Sequence, residues 1–197
     1  MRPLAAPATY DDIRRLPSEV WGEVIAGQVL VSPSPKPRHG RTLRSMGRYI
    51  GGPFDDDHGH GGPGGWWIVV EVDVRLSPHD IVRPDLSGWR RERLDDAPWD
   101  DLPVDVVPDW ICEILSPHNA AHDRVTKRRL YAAHGVPHYW LVDPATHTLE
   151  ALRLVDGLWV ETGSWGDGDV ARVEPFEAIE LDVGRLFVPQ APPSEPS

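Results

Sequence analysis

The chain has 197 residues, of which 40% are hydrophobic and 26% are charged, a balance that favours a folded domain over a disordered chain. The formal net charge of −11 argues against a surface that coats nucleic acid broadly, because such surfaces are usually basic. The lone cysteine excludes an intramolecular disulfide, and no segment is long and apolar enough for a signal peptide or a membrane span. We therefore expect one domain over residues 1–189, a disordered tail over residues 190–197, and a cytoplasmic protein without membrane contacts.

The N-terminal part of the chain predicts a short helix, a hairpin and a second helix. Thr9 can cap the first helix, which Pro17 ends. Two strand-like segments then flank Gly27, which favours a hairpin. Apolar residues at helical spacing predict the second helix: Leu43, Met46 and Ile50.

The segment 66–89 predicts a second hairpin. Its first arm alternates, so that four apolar residues would share one face of a continuous strand: Val70, Val72, Val74 and Leu76. The second arm contains Pro84, which removes a ladder hydrogen bond and marks a strand edge or bulge. This interruption could direct the carboxylate of Asp85 into a cleft.

The C-terminal half predicts a central strand, a helix, another buried strand and a last hairpin. The strand lies within residues 107–117, and by alternation Glu113 shares a face with Ile111 and Leu115. The helix begins after Asn119 and ends at Gly135, and the last hairpin turns at residues 156–157. This order of elements predicts a mixed α/β fold with helices against one central sheet.

Glu113 is a carboxylate inside an apolar strand, where an unpaired charge is costly. If the strand that carries Asp85 lies beside it, the two carboxylates could share a divalent cation, and such hard oxygen ligands suit Mg²⁺ or Mn²⁺. On the helix that follows, Asp123, Lys127 and Tyr131 recur every four residues and line one face. Lys127 could then orient a water nucleophile or stabilise phosphate charge.

The chain contains three informative segments: RPDLSGW, VPDWICEILSPHNAAHDRVTKRRLYAAHGVPHYWLVDP and ALRLVDGLWVETG. Together they resemble the bacterial Uma-two family of "putative restriction endonucleases", which belongs to the wider PD-(D/E)xK nuclease-like fold. The resemblance extends from TYDDIRRLP to LDVGRLF. It implies a restriction-endonuclease-like fold, a central mixed β-sheet flanked by α-helices with additional N- and C-terminal β-hairpins.

The resemblance also implies a metal-dependent endonuclease that hydrolyses DNA with Mg²⁺ or Mn²⁺ as its cofactor. Asp85 takes the place of the family's aspartate after proline, and Glu113 that of the acidic residue on the next core strand. The standard motif has a lysine where this chain has Leu115, and Lys127 on the following helix is the candidate replacement. Glu23 in GEVIAG matches an N-terminal glutamate that can add a metal ligand.

Other expectations concern the partners of the protein. His39 matches a family histidine at the start of the second helix, near the substrate. Backbone contacts with DNA are predicted for a set of arginines, the last three at helical spacing: Arg38, Arg41, Arg44 and Arg48. A C₂ homodimer is expected, in which Trp89, Trp99 or Trp165 could anchor the contact.

Each assignment has a plainer alternative. Asp85 could cap a turn, and Glu113 could be neutralised by a structural ion pair with Lys127 or Arg128. The arginines could form a solvated helical face. Because Leu115 replaces the strand lysine and the net charge is −11, the alternative function is a catalytically inactive nucleic-acid-binding or assembly protein on a nuclease-like scaffold. A hydrolase of small phosphorylated molecules is a third possibility.

Overall fold

The computed structural model describes residues 6–32, 34, 36–55, 62–94, 102–117 and 119–189. The tail that we predict to be disordered, residues 190–197, lies outside the described residues. Among the described helices, none has the length and the apolar character needed to cross a membrane.

The described secondary structure begins with a short helix and ends with a short 3₁₀ turn. The strands are β1 (Trp21–Ile25), β2 (Gln28–Ser32), β3 (Trp66–Val70), β4 (Val74–Ser77), β5 (Asp80–Val82), β6 (Leu86–Arg90), β7 (Trp110–Ile114), β8 (His138–Asp143), β9 (Thr148–Val155), β10 (Leu158–Trp165), β11 (Val170–Ala171) and β12 (Leu181–Asp182). The helices are α1 (Tyr10–Arg14), α2 (Pro37–Met46), α3 (Gly52–Asp55) and α4 (Arg128–Ala133), with π-helical turns at Gly47–Gly51 and His122–Lys127 and the 3₁₀ turn at Val183–Leu186.

The strands form one large sheet and two smaller ones. The large sheet has the order β10-β9-β8-β7-β6-β3, in which β7 and β8 are parallel and the other neighbours are antiparallel. A second sheet has the order β2-β1-β5-β4, and β11 pairs with β12. The predicted mixed α/β fold is confirmed, together with the N-terminal hairpin β1–β2 and the later hairpin β9–β10.

A bent hairpin connects the two larger sheets. Its base, β3–β6, belongs to the large sheet and its tip, β4–β5, to the second one. The continuous strand that alternation predicts is therefore wrong, because Glu71 adopts a positive φ of 51° and reverses the facing of the next residues. Val70 is 48% exposed, whereas Val72 and Val74 are buried.

The large sheet is covered on both faces. Trp110, Cys112 and Ile114 of β7 face one apolar cluster, which includes Met46 of α2. The alternate residues Ile111 and Leu115 face a second cluster, which includes Tyr131 of α4. Both faces of β7 are otherwise apolar. Its one carboxylate, on Glu113, lies beneath α4 and the π turn before it, where Lys127 and Tyr131 contact it.

The tryptophans proposed as dimer anchors have different positions. Trp89 is fully buried, and its indole N–H donates to the carbonyl of Val106 at 2.8 Å, so Trp89 cannot anchor a contact between subunits. Trp89 belongs to β6, which lies inside the large sheet between β3 and β7. Trp165 is partly buried against the core, and Trp99 lies outside the described residues.

Candidate functional site

A cavity of about 560 Å³ lies where the large sheet meets the second sheet. Its wall contains the predicted catalytic residues Asp85, Glu113 and Lys127, together with Glu23 and His39. Other lining residues that could take part in chemistry or binding are Trp21, Lys36, Arg38, Glu71, Arg83 and Asp123. The structure therefore brings together residues that are up to 104 positions apart in the sequence, from Glu23 to Lys127.

Asp85 lies where the bent hairpin leaves the large sheet. Strand β6 pairs with β7 as far as Leu86 opposite Cys112, and Pro84 has no N–H with which to continue a ladder. The Asp85 carboxylate takes over this pairing, because its Oδ2 accepts a hydrogen bond from the backbone N–H of Ile114 at 2.6 Å. Its Oδ1 is 2.9 Å from Nε2 of His39. Asp85 is thus fixed beside the end of β7, as the sequence predicts.

Lys127 is the centre of a buried group of carboxylates. Its Nζ is 3.0 Å from Glu113 Oε1, 2.9 Å from Glu23 Oε1 and 3.8 Å from Asp123 Oδ1. The hydroxyl of Tyr131 donates to the same oxygen of Glu113 at 2.6 Å. Asp123, Lys127 and Tyr131 come from one helical face, so the predicted spacing accounts for their convergence.

The charges in this group are unbalanced. Burial raises the pKa of Glu113 well above its usual value, and Asp123, Asp85 and Glu23 add to the effect while Lys127 opposes it. Burial likewise raises the pKa of Asp123 to about 6, again opposed by Lys127. For Lys127, burial alone would lower the pKa, but the carboxylates outweigh it and hold the pKa well above the usual value. Lys127 is therefore a permanent cation and cannot serve as a base near neutral pH.

Arg83 is the centre of a second group of polar contacts in the cavity wall. Its guanidinium donates two hydrogen bonds to Asp73, at 2.7 and 2.9 Å, and lies over the ring of Trp21 at 5.2 Å from the centroid. Its backbone N–H donates to Glu23 Oε1 at 2.8 Å. The charge of Arg83 is thus neutralised by Asp73, while its backbone helps to hold Glu23 toward Lys127.

His39 is the third residue of α2, which begins at Pro37. Proline is favoured at the start of a helix, because the N–H that it lacks would have no partner within the helix there. Burial would lower the pKa of His39, but the hydrogen bond and the charge of Asp85 reverse the effect and raise it. The other ring nitrogen, Nδ1, is buried without a hydrogen-bond partner among the described residues. His39 therefore contacts a predicted catalytic residue directly, instead of lying on the outer surface.

The four arginines that we predict to contact DNA differ in their position relative to the cavity. Arg38, in the first turn of α2, lines the cavity, as does Lys36, which precedes the helix. The remaining three are exposed and do not line it: Arg41, Arg44 and Arg48. If they contact DNA, they do so outside the cavity, along the outer surface of the helix.

The sequence assigned no role to four charged wall residues, and two of them, Lys36 and Glu71, gave no signal of their position. Lys36 stands in a proline-rich loop that gives no periodic signal. Glu71 lies in a segment whose alternation continues through its positive φ, so nothing in the sequence places it toward Asp85. Burial and the charge of Asp85 raise the pKa of Glu71.

The donor chemistry of the cavity fits a divalent cation. Five carboxylates line it, and Lys127 is the one permanent cation among the described residues that contacts several of them. No three His, Cys, Asp or Glu side chains of the described chain are arranged as a ready metal site. Mg²⁺, however, is commonly held by one or two carboxylates with water and substrate phosphates, a set that Asp85 and Glu113 can supply. Oε2 of Glu113 accepts no hydrogen bond from the described residues, which leaves it available as a ligand.

Comparison with known proteins gives two matches of different kinds. The sequence profile of the Uma2 family, described as "Putative restriction endonuclease", matches residues 8–184. A crystal structure described as "a putative nuclease belonging to DUF820", from Anabaena variabilis ATCC 29413, superposes with a TM-score of 0.71 at 24% sequence identity and covers 92% of this chain and 98% of that chain. No curated protein sequence matches the chain. At this identity the structural likeness shows the fold alone.

Proposed function

The chain belongs to the Uma-two (Uma2) family, described as "Putative restriction endonuclease", and from this premise we propose that it is a metal-dependent endonuclease that hydrolyses DNA phosphodiester bonds. The observation that supports the proposal is the convergence of Asp85, Glu113, Glu23 and Lys127 on one cavity, in which carboxylates outnumber cations. An excess of buried negative charge is costly unless a cation compensates it. Such a cavity suits a divalent ion and the phosphate that it accompanies.

The proposed roles follow from the contacts of each residue. Asp85 and Glu113 hold Mg²⁺ or Mn²⁺, and Glu23 assists. The bound ion would neutralise charge on the phosphate and lower the pKa of a water nucleophile. Lys127, which stays protonated, orients that water or stabilises the charge that develops on the phosphate. Tyr131 fixes the orientation of Glu113 through its hydrogen bond to Oε1.

Residues at the entrance serve binding. Lys36 and Arg38 attract the phosphates that flank the scissile bond, and His39 holds Asp85 in place. Arg41, Arg44 and Arg48 contact the DNA backbone outside the cavity. A C₂ homodimer would present two such cavities to two strands, and light scattering of the purified protein tests this association.

A specific observation favours a second candidate, a catalytically inactive nucleic-acid-binding or assembly protein. Lys127 already forms ion pairs with Glu113 and Glu23, and the pair with Glu113 is the structural ion pair that the plainer interpretation of Glu113 expects. The chain has Leu115 where the standard motif has its lysine. A nuclease scaffold that no longer binds metal would be expected to show both features.

Cleavage assays separate the two candidates. The purified protein is incubated with single-stranded, double-stranded and supercoiled DNA in the presence of Mg²⁺ or Mn²⁺, and the assay is repeated with Asp85→Ala and Glu113→Ala. The exposed Glu161 provides the matched control, Glu161→Ala. Cleavage that is lost in both site variants and kept in the control supports the nuclease. Cleavage that survives both site variants contradicts it, and binding without cleavage supports the inactive scaffold.

A further inference from the structure

We propose that the cavity accepts an unpaired DNA strand, or a nucleotide turned out of a duplex, and does not accept the intact double helix. This inference rests on the proposed nuclease function and specifies its substrate. Three features of the structure carry it: the depth of the acidic group, the small number of free cations, and an aromatic plane in the wall.

The groups assigned to catalysis lie deep. Glu113 is 3% exposed and Lys127 5%, with Asp123 beside them at 4%. Asp85, whose side chain is 17% exposed, lies nearer the opening. The cavity above them, at about 560 Å³, has the size of sites that enclose one small ligand. The start of α2 and Ser32 at the end of β2 also line the cavity, as do residues of two loops: Ser116, Pro117, Asn119, Pro144 and Ala145.

A double helix is too stiff to bend into this cavity, since its persistence length is about 150 base pairs. Each phosphate of a duplex stands on a continuous ridge between stacked neighbours, so those neighbours would meet the entrance before the phosphate reached Glu113. An unpaired strand can rotate about every backbone bond and turn one phosphate inward. Turning a nucleotide out of a duplex gives the same freedom at the cost of local unstacking.

The few unpaired positive charges of the cavity wall suit a single DNA strand better than a duplex. Arg83 is paired with Asp73, and Lys127 with Glu113. Among the described lysines and arginines of the wall, Lys36 and Arg38 are the two without an ion pair. Duplex DNA carries one charge per about 1.7 Å of axis, against one per about 3.4 Å for each strand. A protein with a net charge of −11 therefore repels a duplex more strongly than a single strand.

The wall also offers a surface for a base. Trp21 is half-buried, and the guanidinium of Arg83 stacks over its ring while Asp73 fixes the guanidinium. Indole rings and guanidinium planes are the surfaces on which unpaired bases stack, largely regardless of sequence. In a duplex the faces of each base are already covered by its neighbours. The stacked pair thus matches an unpaired strand and has no partner in an intact helix.

Three substrates of one sequence test the inference: a single strand, the full duplex, and the duplex with a central unpaired bubble. Cleavage is measured with Mn²⁺, and binding is measured by fluorescence anisotropy with Ca²⁺ in its place. We expect the single strand and the bubble to be cut at least about tenfold faster than the duplex, which corresponds to stacking of one base, with cuts confined to the unpaired bases.

The outcomes separate the inference from the function on which it rests. If the duplex is cut as fast as the single strand, the inference is overturned and the nuclease function stands. If nothing is cut but the single strand binds more tightly than the duplex, the inference stands and the nuclease function falls. Equal affinity for both substrates without cleavage overturns both.

Variants test the two binding features. Trp21→Leu should weaken binding of the single strand about tenfold, whereas Trp21→Phe, which keeps an aromatic plane, should retain it. Trp159→Leu removes a half-buried indole outside the cavity and is the control for folding. If Trp21→Leu and Trp159→Leu bind alike, the stacking surface is refuted.

The cations are tested by the salt dependence of binding. Lys36→Ala combined with Arg38→Ala should reduce the slope of log affinity against log salt by about 1.4, the value for two contacts with a single strand. Arg129→Ala, exposed on α4 and outside the cavity, is the matched control. An unchanged slope in the double variant would show that the strand does not enter past α2.

Discussion

Replacing Asp123 with asparagine should stabilise the protein at neutral pH, although it removes a polar group from the cavity wall. Asp123 is buried, and the cation closest to it, Lys127 Nζ, is 3.8 Å away and shared with Glu23 and Glu113. Burial, only partly offset by Lys127, raises the pKa of Asp123 from 3.8 to about 6. The ionised form is therefore less stable in the folded chain than in the unfolded one.

The magnitude follows from this shift. An increase of roughly two pKa units corresponds to about 3 kcal/mol. The folded state holds its proton up to a higher pH than the unfolded state does. The free energy of unfolding therefore decreases as the pH rises from about 4 to about 6, and it stays lower above that window. Asparagine has the shape of the protonated acid and carries no charge, so the variant lacks this decrease.

Urea unfolding followed by tryptophan fluorescence, in buffer with a metal chelator, measures the effect. Near pH 7 we expect Asp123→Asn to unfold with a free energy about 3 kcal/mol higher than the wild type, and near pH 4 we expect the two to be equal. Asp156→Asn, in the exposed turn between β9 and β10, is the control for loss of a surface carboxylate. If the difference between Asp123→Asn and the wild type is the same at both pH values, Asp123 does not carry the charging cost assigned to it.

Three further predictions concern the same cavity. Asp85→Asn and Glu113→Gln should each lower the initial rate of DNA cleavage about a thousandfold, while the exposed Glu161→Gln keeps the wild-type rate; equal rates in all three would contradict the site. Lys127→Met should destabilise the protein by about 3 to 5 kcal/mol in urea unfolding, because it leaves buried carboxylates without a cation. Adding Glu113→Gln to Lys127→Met should restore part of that loss, and strict additivity would argue against their ion pair. Mn²⁺ at a hundredfold excess over its dissociation constant should stabilise the wild type by about 2.7 kcal/mol in thermal unfolding, whereas an equal shift in Glu113→Gln would place the ion elsewhere.

The contact between Asp85 and the end of β7 could be predicted because two local signals agree. Pro84 interrupts a ladder, and alternation in residues 107–117 places Glu113 on one defined face. Helical spacing then brings Lys127 over that face. These are short-range rules, and the structure satisfies each of them.

Features that depend on long-range packing or unusual backbone could not be predicted. The positive φ of Glu71 is rare for a residue with a side chain, and the apolar alternation around it continues as though the strand were straight. The ion pair between Asp73 and Arg83 lies beside that bend. The C-terminal segment shows no period, yet Phe176 and Phe187 are buried in the core against α2 and β7. Their position is decided by the remaining space in the core, which a sequence pattern does not display.

The bent hairpin has a mechanical consequence for access to the cavity. Glu23 belongs to the second sheet, Glu113 to the large one, and Asp85 stands at the bend that joins them. A hinge motion of one sheet against the other would pull Glu23 away from Glu113 and break the ion pair between Glu23 and Lys127. Any widening needed to admit a strand would come instead at the start of α2, since the described residues of that helix, Pro37–Met46, belong to neither sheet.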